Sequence, residues 1–157
     1  MRNPAKLLAI AALALAAAAP AAADSSEYEQ SGSTAIYDAD GARMLRENDG
    51  VTLQWIGWDR RGTANVIVEQ DDTYTLTARQ QADNGQGSLA MDGYISEIGP
   101  GYFTFQGTIT IEGAPDRERY CSENKLWHFA VTQNRQYWRL REFEWCDDLT
   151  DYIDIYM

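Results

Sequence analysis

The stretch Tyr102–Glu112, YFTFQGTITIE, alternates without a slip: Phe103, Phe105, Gly107, Ile109 and Ile111 occupy one parity and Thr104, Gln106, Thr108 and Thr110 the other. A period of two puts these sets on opposite faces of a strand, whereas a helix would smear both around its circumference. The segment therefore has one face to bury and one to hydrate, and it needs partners of the same kind. They are present. Val51, Leu53 and Trp55 alternate with Thr52 and Gln54; Ala64, Val66 and Val68 flank Asn65; Tyr74, Leu76 and Ala78 flank Thr75 and Thr77; Leu89, Met91 and Gly93 share a parity.

Between these runs lie DRRG at 59–62, QDD at 70–72, DNGQG at 83–87, GPG at 99–101 and EGAPD at 112–116, all rich in the residues that turn a chain. Regular short strands with such breaks predict an all-β domain, an antiparallel up-and-down barrel or β-sandwich of about eight short strands. One segment dissents. In DADGARMLREND, Met44 and Leu45 sit between charges, which allows at most one short helix near residues 40–47. The same residues mimic a calcium loop, with Asp38, Asp40, Gly41 and Glu47 at ligand spacing, but Ile36 stands where the first carboxylate belongs, so a polar turn is the better reading.

The N-terminus reads as an export signal. Arg2 and Lys6 precede an apolar run from Leu7 to Ala19, and Pro20 with Ala21, Ala22 and Ala23 forms a small-residue cleavage site. The run falls short of the ~20 apolar residues that cross a bilayer. The expected organisation is a cleaved signal peptide at 1–23, a polar leader at 24–33 and one all-β domain at 34–157. No membrane insertion is expected after cleavage, and the protein should be periplasmic or extracellular.

Beyond the signal, 11 basic side chains face 24 acidic ones. Such a surface repels phosphate backbones, so nucleic acid is not an expected partner. Cys121 and Cys146 are the two cysteines, and in an oxidising compartment they should form a disulfide. Closing that 25-residue loop is worth about 3–4 kcal/mol in the chain-entropy model. His128 is the one histidine, too few for a two-cysteine metal site, so no metal and no cofactor are expected. Its place on a strand beside Trp127 suggests packing or hydrogen bonding.

The C-terminal third holds 12 of the 18 aromatic rings. In LWHFAVTQNRQYWRLREFEWC, Trp127 and Phe129 share one strand face, and Trp138 and Leu140 return to meet them. The apolar parity then slips to Phe143 and Trp145, which implies a bulge or a strand end near Arg141 and Glu142. Arg139 and Arg141 should pair with surrounding carboxylates. Trp55 and Trp58, with Phe143 and Trp145 beyond the slip, are the candidate ligand-binding residues. The run Asp147, Asp148, Asp151 and Asp154 reads as a solvated, charge-guarded strand edge, and the strand following it carries Ile153 and Ile155 on one face.

Cys121, WHF at 127–129, NRQYWRL at 134–140, Cys146 and TDYIDIY at 150–156, with GVTLQWIGW and FTFQGTI upstream, resemble a family of small exported bacterial proteins of unknown function. The resemblance covers about residues 50–157 and implies a shared all-β domain. It brings no catalytic or binding residues.

No nucleophile elbow, phosphate loop or dinucleotide fingerprint is present. The reading that follows is an exported, non-catalytic β domain binding a small molecule, glycan or protein in the cell envelope, since Trp, Tyr and Arg dominate binding hot spots. The alternative is a glycosidase-like envelope hydrolase working through Asp151, Glu142 or Glu144.

Overall fold

The computed structural model describes residues 33–157, so the predicted signal peptide at 1–23 and leader residues 24–32 lie outside the described residues. The elements are β1 (Ala35–Ile36), α1 (Ala39–Arg46), β2 (Val51–Leu53), β3 (Thr63–Val68), β4 (Tyr74–Gln81), β5 (Ser88–Gly99), β6 (Tyr102–Glu112), β7 (Tyr120–Ala130), β8 (Tyr137–Leu140) and β9 (Ile153–Tyr156). The sheet runs β2-β9-β8-β7-β6-β5-β4-β3, every neighbouring pair antiparallel. This is the all-β, up-and-down arrangement that the alternation predicts.

The ring is closed at one narrow place. Val51 and Gly62 exchange backbone hydrogen bonds of 3.2 and 2.8 Å, which joins β2 to the residue preceding β3. The backbones approach so closely that a Cβ on Gly50, whose φ is +97°, would lie 2.2 Å from the Gly62 carbonyl oxygen. Glycine is the residue that tolerates both conditions. Where the two strands then diverge, a side chain takes over the ladder. The buried Gln80 amide accepts from Leu53 N–H at 2.6 Å and donates to the Gly57 and Arg60 carbonyls at 3.0 and 2.7 Å.

Inside the ring the predicted apolar parity is buried throughout β6, and five fully buried rings, Phe103, Phe105, Trp127, Phe129 and Trp138, fill the middle. Phe103 stacks on Phe129 at 4.8 Å and meets Trp138 edge-on at 5.8 Å. Phe105 lies against the facing glycines Gly93 and Gly107: a Cβ on Gly107 would come within 2.6 Å of its ring. Trp127 fixes its polar end by donating Nε1–H to the Gly107 carbonyl at 2.9 Å. Small residues opposite large ones let an eight-stranded ring bend sharply and still pack solid.

A register shift between Ile95 and Glu97 turns the end of β5 away from β4 and makes room for β1, which pairs with β5 in parallel. The buried Thr34 hydroxyl bridges the gap, donating to the Ile95 carbonyl at 2.6 Å and accepting from Tyr74 N–H at 2.9 Å. The segment weighed as a calcium loop is the helix α1. Asp38 caps it by accepting from Asp40 N–H, Glu47 pairs with Arg43, and Gly41, Ala42 and Leu45 form its buried side. Two of the would-be ligands are thus spent on the helix itself. Among the described residues, no helix is long and apolar enough to cross a membrane.

Candidate functional site

Two clusters carry the polar chemistry of the C-terminal third. The first closes the barrel mouth beneath residues 141–152, which connect β8 to β9. The Cys121–Cys146 disulfide, with a Cα–Cα distance of 5.8 Å, ties this crossing to the start of β7. Arg119, two residues before Cys121, is 6% exposed at its side chain and reaches both Asp147 and Asp151 with bonds of 2.9 Å. It also donates to the Ala114 carbonyl at 3.0 Å. Trp55 also donates Nε1–H to Asp151 Oδ1 at 2.9 Å.

Burial pulls the Arg119 guanidinium down, but hydrogen bonds to Asp151 and Asp147 outweigh it and hold its pKa above the usual value. The bond from Arg119 in turn keeps the Asp147 carboxyl below the ordinary range. Trp145 packs edge-on against Trp127 at 5.1 Å, with its Nε1 buried and without a hydrogen-bond partner.

The second cluster lies on the outside of β8 and β9. Trp138, Leu140, Ile153 and Ile155 point inward, so Tyr137, Arg139, Tyr152, Asp154 and Tyr156 point outward. Arg139 grips Asp154 with a two-pronged fork, both bonds 2.7 Å. Asp154 and the neighbouring Thr52 are fully buried although they face away from the core, because the loop after β2 and a layer of rings roof them. Burial raises the Asp154 carboxyl despite the opposing pull of Arg139, and the bond to Asp154 raises Arg139.

The roof is a row in which pairs of rings lie between arginines. Arg61 lies 3.9 Å from the centre of Tyr156, Tyr156 is 5.5 Å from Tyr137, and Tyr137 is 5.1 Å from Arg139. Arg139 is 4.2 Å from Tyr152, Tyr152 is 5.3 Å from Phe143, and Phe143 is 4.9 Å from Arg141. Trp58, 43% exposed, flanks Arg139 at 5.6 Å, and Arg135 flanks Tyr137 at 5.7 Å. Each contact lies within the range of cation–π or edge-to-face attraction.

The four candidate rings are therefore divided. Trp58 and Phe143 join the outer row. Trp55 and Trp145 belong to the mouth, one as a hydrogen-bond donor to a buried carboxylate and the other packed on the core. The parity slip is a strand end: β8 stops at Leu140, and Glu142 turns back to accept from His128 N–H at 3.1 Å with its other oxygen 2.7 Å from His128 Nδ1. Arg139 has the predicted carboxylate partner; Arg141 lies over Phe143 instead. The acidic run is not a solvated edge throughout: Asp147 and Asp148 are exposed, but Asp151 and Asp154 are 0% and 1% exposed and each is held by an arginine. Of the carboxylates weighed for hydrolysis, Asp151 is occupied by Arg119 and Trp55, Glu142 by His128, and Glu144 by Thr150 at 3.4 Å.

Tyr137, Tyr152, Tyr156 and Arg61 were not among the sequence candidates. The signal for the first three was available: they have the parity opposite to Trp138 and Ile155, and β8 and β9 are neighbours. Elsewhere, a shallow cleft of about 250 Å³ lies between Ile56, Arg60, Gln81 and Asp83, where the Arg60–Asp83 ion pair leaves neither charge unanswered.

The fold and its surface define a small up-and-down β-barrel with a packed interior and an aromatic, arginine-bearing outer face. The chain belongs to the PM1083 family, whose model matches residues 33–157. It is 36% identical over 106 residues to the uncharacterized protein PM1083 of Pasteurella multocida (strain Pm70), a match spanning 66% of this chain and 67% of that one. No solved structure matches the chain significantly.

Proposed function

We propose that this protein is an exported, non-catalytic binding domain of the cell envelope that takes its ligand on the outer face of β8 and β9. The observation carrying this reading is the row of half-exposed rings and guanidinium groups there, set against an interior already filled by five rings. Packed barrels have little room for a guest, whereas exposed clusters of Trp, Tyr and Arg are the usual anchors of binding surfaces. The N-terminal apolar run and the disulfide support export.

The test is a backbone amide NMR map of the oxidised protein, titrated with envelope-derived glycans, lipids and peptides. Shifts gathered on residues 135–143 and 152–156 are the expected result. A ligand whose shifts gather instead at the mouth around Trp55 and Trp145 overturns the assignment of the face.

A further inference from the structure

We infer that the ligand of this face is an acidic glycan, a sugar chain bearing carboxylates; this inference rests on the outer face being the binding surface. Charge on this face is the reverse of the charge on the chain as a whole. The protein is strongly acidic, with 24 carboxylate side chains against 13 basic ones, yet Arg61, Arg135, Arg139 and Arg141 converge on one small face. Asp49 neutralises Arg61 and Asp154 neutralises Arg139. Among the described residues, Arg135 and Arg141 have no ion-pair partner, which leaves two cationic forks beside the rings. The acidic groups elsewhere do not cancel them, because screening at physiological salt limits exposed charges to a reach of about 8 Å.

The face already displays the recognition chemistry it would offer. Arg139 holds the Asp154 carboxylate in a bidentate fork while Tyr152 and Tyr137 lie 4.2 and 5.1 Å from the guanidinium. Arg135 beside Tyr137 and Arg141 beside Phe143 repeat that guanidinium–ring unit on either side with the carboxylate missing. A planar fork matched to a carboxylate is what arginine provides and lysine does not.

The shape of the face points the same way. Tyr137 and Arg141 are separated by about 14 Å along an extended chain at ~3.4 Å per residue, the length of a short oligosaccharide. Partly exposed rings set between guanidinium groups offer apolar contact to sugar rings beside charged donors. The face does not suit recognition of a peptide by strand addition. β8 and β9 lie between β7 and β2, so neither offers a free edge for an added strand.

The experiment titrates the oxidised protein with a tetrasaccharide of uronic acid, with neutral maltotetraose and with oligoglutamate, following backbone amides and arginine Nε–H signals. Binding by the uronate, with shifts at Arg135, Arg141 and the adjoining rings, is the expected result. In an Arg135→Ala, Arg141→Ala double variant with an unchanged Tm, affinity should drop about tenfold or more, the size of a charged hydrogen bond lost. Equal binding of maltotetraose at this face overturns the requirement for acid, and oligoglutamate binding there while the uronate is silent overturns the glycan; both leave the face as the binding surface. If envelope ligands shift only other parts of the molecule, it is the choice of face that fails.

Discussion

Arg119 and Arg139 each hold a buried aspartate with a two-pronged fork, and what surrounds each guanidinium puts the two pairs to different ends. Arg119 spends Nε, Nη1 and Nη2 on Asp147, Asp151 and the Ala114 carbonyl. Two segments far apart in sequence are locked together beside a disulfide, and no donor group is left over. Arg139 spends Nε and Nη2 on Asp154, with a long 3.4 Å bond from Nη2 to the Tyr137 hydroxyl, and lies among rings that remain half open to solvent. A buried ion pair is therefore no guide to function by itself. The count of donors satisfied within the protein separates the lock from the platform.

The sharpest test of the lock is Asp151→Ala. It leaves Arg119 short of its most buried partner and Trp55 without an acceptor, and the stability lost should be about 3–5 kcal/mol, read by urea unfolding. Arg139→Ala should cost less, about 1–3 kcal/mol, because removing that side chain also lets water reach Asp154. Its deficit should shrink as the pH is lowered from 7. Burial already raises the Asp154 carboxyl in the folded state, so protonation favours the fold and relieves the unpaired charge. If the two variants lose equal stability, the distinction between lock and platform collapses.

Asp147→Asn should show the smallest effect, less than about 1 kcal/mol, since that side chain is 38% exposed and its bridge is partly screened. The Asp147 carboxyl is lowered in the folded state, so its contribution is present above the unfolded value of about 3.9 and lost as the pH falls through the folded one. Stability curves of the parent and Asp147→Asn should therefore converge below about pH 4.

The interior of the barrel was legible in the sequence because it is written in near-neighbour parity. Phe103 to Ile111, Tyr74 to Ala78, and the pair Trp138 and Leu140 all point where a period of two sends them. The acidic run misled for the opposite reason. Asp151 and Asp154 are answered by arginines 32 and 15 positions away, and local composition has no record of such partners. Trp55 and Trp145 share the chemistry of an exposed binding ring but are taken up by a loop that crosses the mouth. The outer row was half legible: Trp58 and Phe143 are sequence candidates and parity could have added Tyr137, Tyr152 and Tyr156, whereas Arg61 arrives from a loop whose path depends on the buried Gln80 amide.

The position of β9 has a consequence for how the chain is made. Residues 153–156 do not finish an edge; they sit between β2 and β8, and Thr52 bonds to Tyr156 across 104 positions. The ring cannot close until these residues have been synthesised. Contacts of such separation carry a large loop-closure entropy and form late. A nascent chain with this topology stays open through most of its synthesis.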